Sequence, residues 1–160
     1  MHDSTFVPRP SALHTMTLAA ERQLELTLPM VPDIEIAAAR AAGNLARELG
    51  MSSEKIDEMT HAIIEACINA REHSGCADNR MYLRFVGTSE AGPRIDIWIT
   101  DHGRGFDPGE ARARRQKLGA AHKRGWGLQI IEAHMDEVEI TTSVHGTTIH
   151  MVKREKNDHE

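Results

Sequence analysis

The segment RIDIWIT, residues 94–100, sets Ile95, Ile97 and Ile99 against Arg94, Asp96, Trp98 and Thr100, and runs straight into Asp101. Strict alternation is the period of a strand with one covered face. MYLRFVG, residues 81–87, reads as its hairpin partner, and TSEAGP supplies the short turn between them. A sheet with one apolar face must be covered by a second layer. That requirement governs the reading of the rest of the chain.

The covering elements lie upstream. ERQLELTL (21–28) alternates Leu24, Leu26 and Leu28 with polar residues and reads as a half-buried strand, which Pro29 and Pro32 break. Asp33 is placed to cap a helix through IEIAAARAAGNLAREL to Gly50. MSSEKIDEMTHAIIEACINAREHSG repeats the grammar, with Ser52 or Ser53 as cap, acids in the first turn and Gly75 as the stop. Downstream, WGLQIIEAHM is a short apolar helix. VEITTSV, Gly146 and TTIHMVK make a closing hairpin. The intervening EARARRQKLGAAHKRG has no clean period and reads as a loop with a helical turn. The order predicts an α+β fold, a two-layer sandwich of a mostly antiparallel mixed sheet with three helices on one face. One folded domain is expected over 21–154, between a flexible tail over 1–20, within which Met16 is an alternative start, and a short tail over 155–160.

Composition removes several functional classes. With 40% hydrophobic and 27% charged residues the chain is expected to be soluble and globular. A net charge of −5 supplies no general field for a phosphate backbone, so direct nucleic-acid binding is not expected. No apolar run approaches the roughly 20 residues of a membrane span. The N-terminus lacks the basic start of a secretory signal. Cys67 and Cys76, the only 2 cysteines, suit reduced thiols in a cytoplasm.

Three places carry candidate chemistry. Glu65 and Asn69 are one helical turn apart and share a face, with Ala62 and Ala66 beside them, while Ile56, Met59, Ile63, Ile64 and Cys67 gather opposite. The plain reading is a solvated polar face; the functional one is a proton-accepting carboxylate beside an amide that can ligate Mg²⁺. Asp101 shares the parity of the three isoleucines and points to the covered side, where it either bonds its own turn amides or meets an amino group of a ligand. Gly103 and Gly105 would let backbone approach a flat ligand. Arg124-Gly125-Trp126-Gly127-Leu128 opens a helix with two glycines, either a flexible hinge or a phosphate site at free helix amides. Arg112, Arg114, Arg115, Lys117, Lys123 and Arg124 crowd the approach to it against Asp107 and Glu110 alone. A zinc cluster of His61, Cys67, His73 and Cys76 is not expected, because steps of six along a helix turn about 240° and do not converge.

Taken together, EACINA with Glu65 and Asn69, DHGRG, RGWGL and HGTT resemble, in order, the four nucleotide-binding boxes of the GHKL (Bergerat-fold) ATPases. EACINAREHS, HMDEVEI and HGTTIHMVK most resemble the small bacterial anti-sigma factor serine kinases of sporulation and general-stress switches, over about residues 22–154. The resemblance implies that Asp101 accepts a hydrogen bond from the adenine amino group, that Gly103 and Gly105 admit the purine and begin an ATP lid over 107–124, and that Thr148 helps hold the base. It implies Mg²⁺ ligation by Asn69, phosphate binding at Gly125, Gly127 and Leu128, a γ-phosphate contact from Lys123 or Arg124, and Glu65 as the catalytic base. Arg71 stands where such relatives carry an apolar residue and would touch a phosphate or lie exposed.

The implied activity is ATP- and Mg²⁺-dependent phosphorylation of an anti-anti-sigma (STAS) protein by a cytoplasmic homodimer that also sequesters a sigma factor, with Arg40 at the partner surface. A nucleotide-gated binding module, or the catalytic subunit of a split histidine kinase, are the alternatives.

Overall fold

The computed structural model describes residues 21–105, 107, 109, 110, 113 and 127–156. Its elements are β1 (Arg22–Pro29), α1 (Ile34–Glu48), α2 (Ser53–His73), β2 (Arg80–Thr88), β3 (Arg94–Asp101), α3 (Gly127–His134), β4 (Glu137–Ser143) and β5 (Gly146–Arg154). The strands form one sheet in the order β1-β2-β3-β5-β4. All four pairings are antiparallel. Met81, Leu83 and Phe85 of β2, Ile95, Ile97 and Ile99 of β3, and Ile149 and Met151 of β5 are buried on the face beneath the helices. The expected α+β sandwich is the observed one, with a sheet that is antiparallel throughout the described strands rather than mixed.

The helix boundaries follow local chemistry. Ser52 caps α2 through its hydroxyl, which accepts from the Lys55 amide at 3.5 Å. α1 ends in a paired reversal, with the Gly50 amide donating to the Arg47 carbonyl and the Met51 amide to the Ala46 carbonyl, the Schellman arrangement that favours glycine. Asp33 departs from expectation. It stands at the N-cap of α1 but in the left-handed region, φ 66°, and its side chain makes no capping bond.

α2 is the middle helix, flanked by α1 and α3. Its buried arc is wider than the predicted stripe, taking in Ala62 and Ala66 as well as Ile56, Met59, Ile63 and Cys67. Two alanines in this arc permit the close approach of a neighbouring helix that larger side chains would prevent. Ile64, placed in the stripe from sequence, is only half-buried.

The other face of the sheet carries no helix among the described residues. At its centre Trp98 stacks on His150, with ring centroids 4.4 Å apart and planes at 2°, and the Arg84 guanidinium lies 5.4 Å from the indole. Asp96 accepts two hydrogen bonds from Arg94, at 2.6 and 2.9 Å, and sits 3.0 Å from His150 Nε2.

Candidate functional site

Asp101 closes β3 on the covered face and is 6% exposed. Its Oδ1 accepts the Gly103 amide at 2.9 Å. Burial raises its pKa above the usual carboxylate value, and the bonds from the Gly103 and Thr147 amides offset that only in part. The acid therefore does organise its own turn, and it also presents a desolvated acceptor at the end of the sheet.

The turn after it is held on both sides. A Cβ on Gly103 would overlap the Ser74 carbonyl oxygen at the end of α2, and that same oxygen accepts the Arg104 amide at 3.0 Å. Gly105, φ 74°, lies against the Ser143 carbonyl of the β4–β5 hairpin. The two glycines were expected to clear space for a flat ligand. Their missing Cβ atoms instead clear space for protein backbone, seating the turn between α2 and the hairpin.

The threonine assignment needs correction. Thr148 pairs with Thr100 across β3 and β5, and their hydroxyls meet at 2.9 Å on the open face of the sheet. Successive strand residues face opposite ways, so the residue beside Asp101 is Thr147. It is opposite Asp101 in the register and 5% exposed, with its hydroxyl 3.1 Å from that of Thr142. Parity could have found it, since Thr147 lies two residues before the inward-facing Ile149.

On α2, Glu65 and Asn69 are both half-buried. The first residue of α3 packs directly on Asn69: a Cβ on Gly127 would come within 2.8 Å of Asn69 Nδ2 and 3.0 Å of Oδ1. The start of α3 is thus brought to the amide that the sequence marked out. Leu128 turns its side chain into the core, 9% exposed, so its main chain alone is available to a ligand. Lys123, Arg124 and Gly125 lie outside the described residues, as does most of 107–124. Within that span Asp107 Oδ1 accepts the Gly109 and Glu110 amides at 2.7 and 3.1 Å, capping a helical turn.

Arg71 is neither fully exposed nor turned toward Asn69. It reaches Glu35 of α1 at 3.6 Å, and Glu35 Oε2 and Arg71 Nε are buried without a hydrogen-bond partner. Arg40 is exposed on α1. The Cys67 thiol is pushed up to about 12 by burial and by the nearby Glu35 carboxylate, which leaves it unreactive. Among the described residues no group of three or more His, Cys, Asp or Glu side chains could hold a metal. A single neutral ligand such as Asn69 fits Mg²⁺, which takes few protein ligands and completes its shell with phosphate and water.

A family model described as the histidine kinase-like ATPase domain matches residues 30–153, which spans α1 through β5. The chain belongs to this family. Among relatives of the histidine kinase-like ATPase domain, the serine-protein kinase RsbW of Oceanobacillus iheyensis is 30% identical over 139 residues, covering 81% of this chain and 85% of its own length. RsbW of Bacillus subtilis is 28% identical over 151 residues, covering 86% and 90%. In a crystal structure of RsbU and RsbW domains from Mycobacterium tuberculosis, the similarity has a TM-score of 0.62 at 21% identity and covers 83% of this chain and 32% of that one. That similarity shows the fold. The histidine kinase-like ATPase domain described here is the GHKL-type domain that the four sequence boxes indicated.

Proposed function

We propose that this chain is an ATP- and Mg²⁺-dependent serine kinase acting on an anti-anti-sigma protein of the STAS type. The observation that carries the proposal is the pairing of two features on one side of the sheet: the buried Asp101 acceptor, and Asn69 packed against the first residue of α3. RsbW relatives named as serine-protein kinases, covered over most of their length, support the same reading.

Asp101 accepts the adenine amino group, and Thr147 stands beside it to complete recognition of the base. The amides at the start of α3, at Gly127 and Leu128, with the Gly125 amide that precedes them in sequence, hold phosphate oxygens. Lys123 or Arg124 meets the γ-phosphate. Asn69 would hold Mg²⁺, which when bound would neutralise charge on the transferring group. Glu65 takes the proton of the incoming serine hydroxyl. The serine oxygen then forms the new bond to the γ-phosphorus while the β–γ bridging oxygen leaves with its electron pair on ADP. Phosphoryl transfer depends more on positioning and charge than on covalent help, so a rigid helix carrying both Glu65 and Asn69 suits it.

The full reading is a cytoplasmic homodimer that also sequesters a sigma factor, with the exposed Arg40 at the partner surface. Its test is incubation of the purified protein with γ-labelled ATP, Mg²⁺ and a STAS protein from the same organism. Acid-stable phosphoserine on the STAS protein, absent with Glu65→Ala, is the expected result. ATP binding without transfer to any such protein would replace the kinase with a nucleotide-gated binding module.

A further inference from the structure

Lys153 is an unusual residue to find beneath a helical layer. It lies on β5 opposite Ile95, and its side chain is 5% exposed. Its ammonium donates to Glu58 of α2 and to the carbonyl of His134, the last residue of α3, the latter at 2.6 Å. Glu58 also accepts from Lys55 at 3.3 Å, and the Lys153 hydrogen bond is the main reason its carboxyl is held below the usual range. The His134 ring lies 5.6 Å from that of His61 on α2.

A buried lysine is a poor way to gain stability, because desolvating it costs much of what its pairing returns, and an apolar side chain of similar volume often serves as well. What an apolar chain could not do is hold the negative end of α3. α3 has eight residues, so it is about 12 Å long. Its last carbonyl accepts from Lys153 of β5, whose ammonium also donates to Glu58 of α2, and its first residue rests on Asn69 of α2. A helix this short, held at both ends, transmits an axial shift at His134 to Gly127 with little loss.

We infer that Lys153 is a positioning residue for phosphate binding: by holding the His134 carbonyl it sets how far the first amides of α3 reach toward Asn69. The inference rests on the nucleotide-site reading above. Lys153 lies away from Asp101 and touches no part of the adenine end. Its loss should therefore weaken only what the phosphates contribute.

The test is calorimetric titration of wild type and Lys153→Met with adenosine and, separately, with Mg-ATP, alongside thermal unfolding. Adenosine affinity within about twofold of wild type, with Mg-ATP affinity lowered about tenfold, is the expected split. A parallel fall in both affinities would reduce Lys153 to a structural residue and overturn the inference, as would no change in either. If Lys153→Met does not fold, Glu58→Gln decides by the same ratio. It keeps the volume at a position 31% exposed while withdrawing the counter-charge, and a selective loss of about threefold is expected. A wild-type protein that binds neither ligand would overturn the nucleotide-site reading itself, a result separable from failure of the variant alone.

Discussion

At the scale of single residues, the proposed nucleotide recognition turns on Asp101. Asp101→Asn keeps the shape and removes the charged acceptor, and a hydrogen bond to a charged group contributes about 1.5–3 kcal/mol. ATP affinity should fall about 10- to 100-fold, by isothermal titration, with the unfolding transition retained. Because burial raises the Asp101 pKa above its ordinary 3.8, the proton is lost later as pH rises. The accepting form is complete above the raised value and disappears as pH falls through it. ATP affinity should therefore decline on acidification at a pH higher than an ordinary carboxylate would give, and Asp101→Asn should flatten that limb.

Thr147→Val and Thr148→Val make a second comparison. The first should weaken ATP binding several-fold; the second, on the open face, should leave affinity unchanged. Asp101 was legible because it continues the isoleucine parity of β3. Thr148 was misplaced because motif likeness alone does not fix strand phase, and the register with β3 does.

At the scale of elements, the turn that follows β3 owes its shape to what lies on either side of it. Gly103→Ala would force a methyl into the Ser74 carbonyl, and neither backbone can move without disturbing α2 or β3. Overpacking of this kind costs about 1–3 kcal/mol. A lower urea midpoint at unchanged slope is the expected result, together with weaker ATP binding. The helices, the strands and their order could be read from caps, breakers and periodicity. Two details could not. Asp33 looks like a cap by composition, yet its left-handed backbone turns the side chain out of capping position. The burial of Ala62 and Ala66 depends on where α3 returns, and no local pattern in α2 encodes a helix that comes more than fifty residues later.

For the molecule as a whole, acid stability should depend on the open face of the sheet. Burial disfavours the charged form of Asp96, but hydrogen bonds from Arg94 and His150 and their charges outweigh it, so the net pKa is lowered. A depressed carboxyl pKa adds stability that is complete above the unfolded value and is lost as pH falls through the folded one. Asp96→Asn should be less stable than wild type at neutral pH, with the difference shrinking as pH drops below 3.8. Paired denaturant melts across that range would show it. This cluster was not foreseen. Asp96 and Trp98 share a face of β3 by alternation, but His150 lies 54 residues beyond Asp96, and only the β3–β5 register brings it to them.

One helix touches several parts of the proposed site. Along α2 and its cap, Glu58 meets Lys153, Asn69 meets the first residue of α3, and Ser74 receives the turn after Asp101. These spacings act as a ruler cut into the chain. One residue inserted or deleted between positions 58 and 74 would rotate everything beyond it by about 100° and slide it by about 1.5 Å. Length variation should therefore be forbidden there and tolerated at 89–93. The same rule tells a protein engineer where a tag can be grafted and where the residue count must not change.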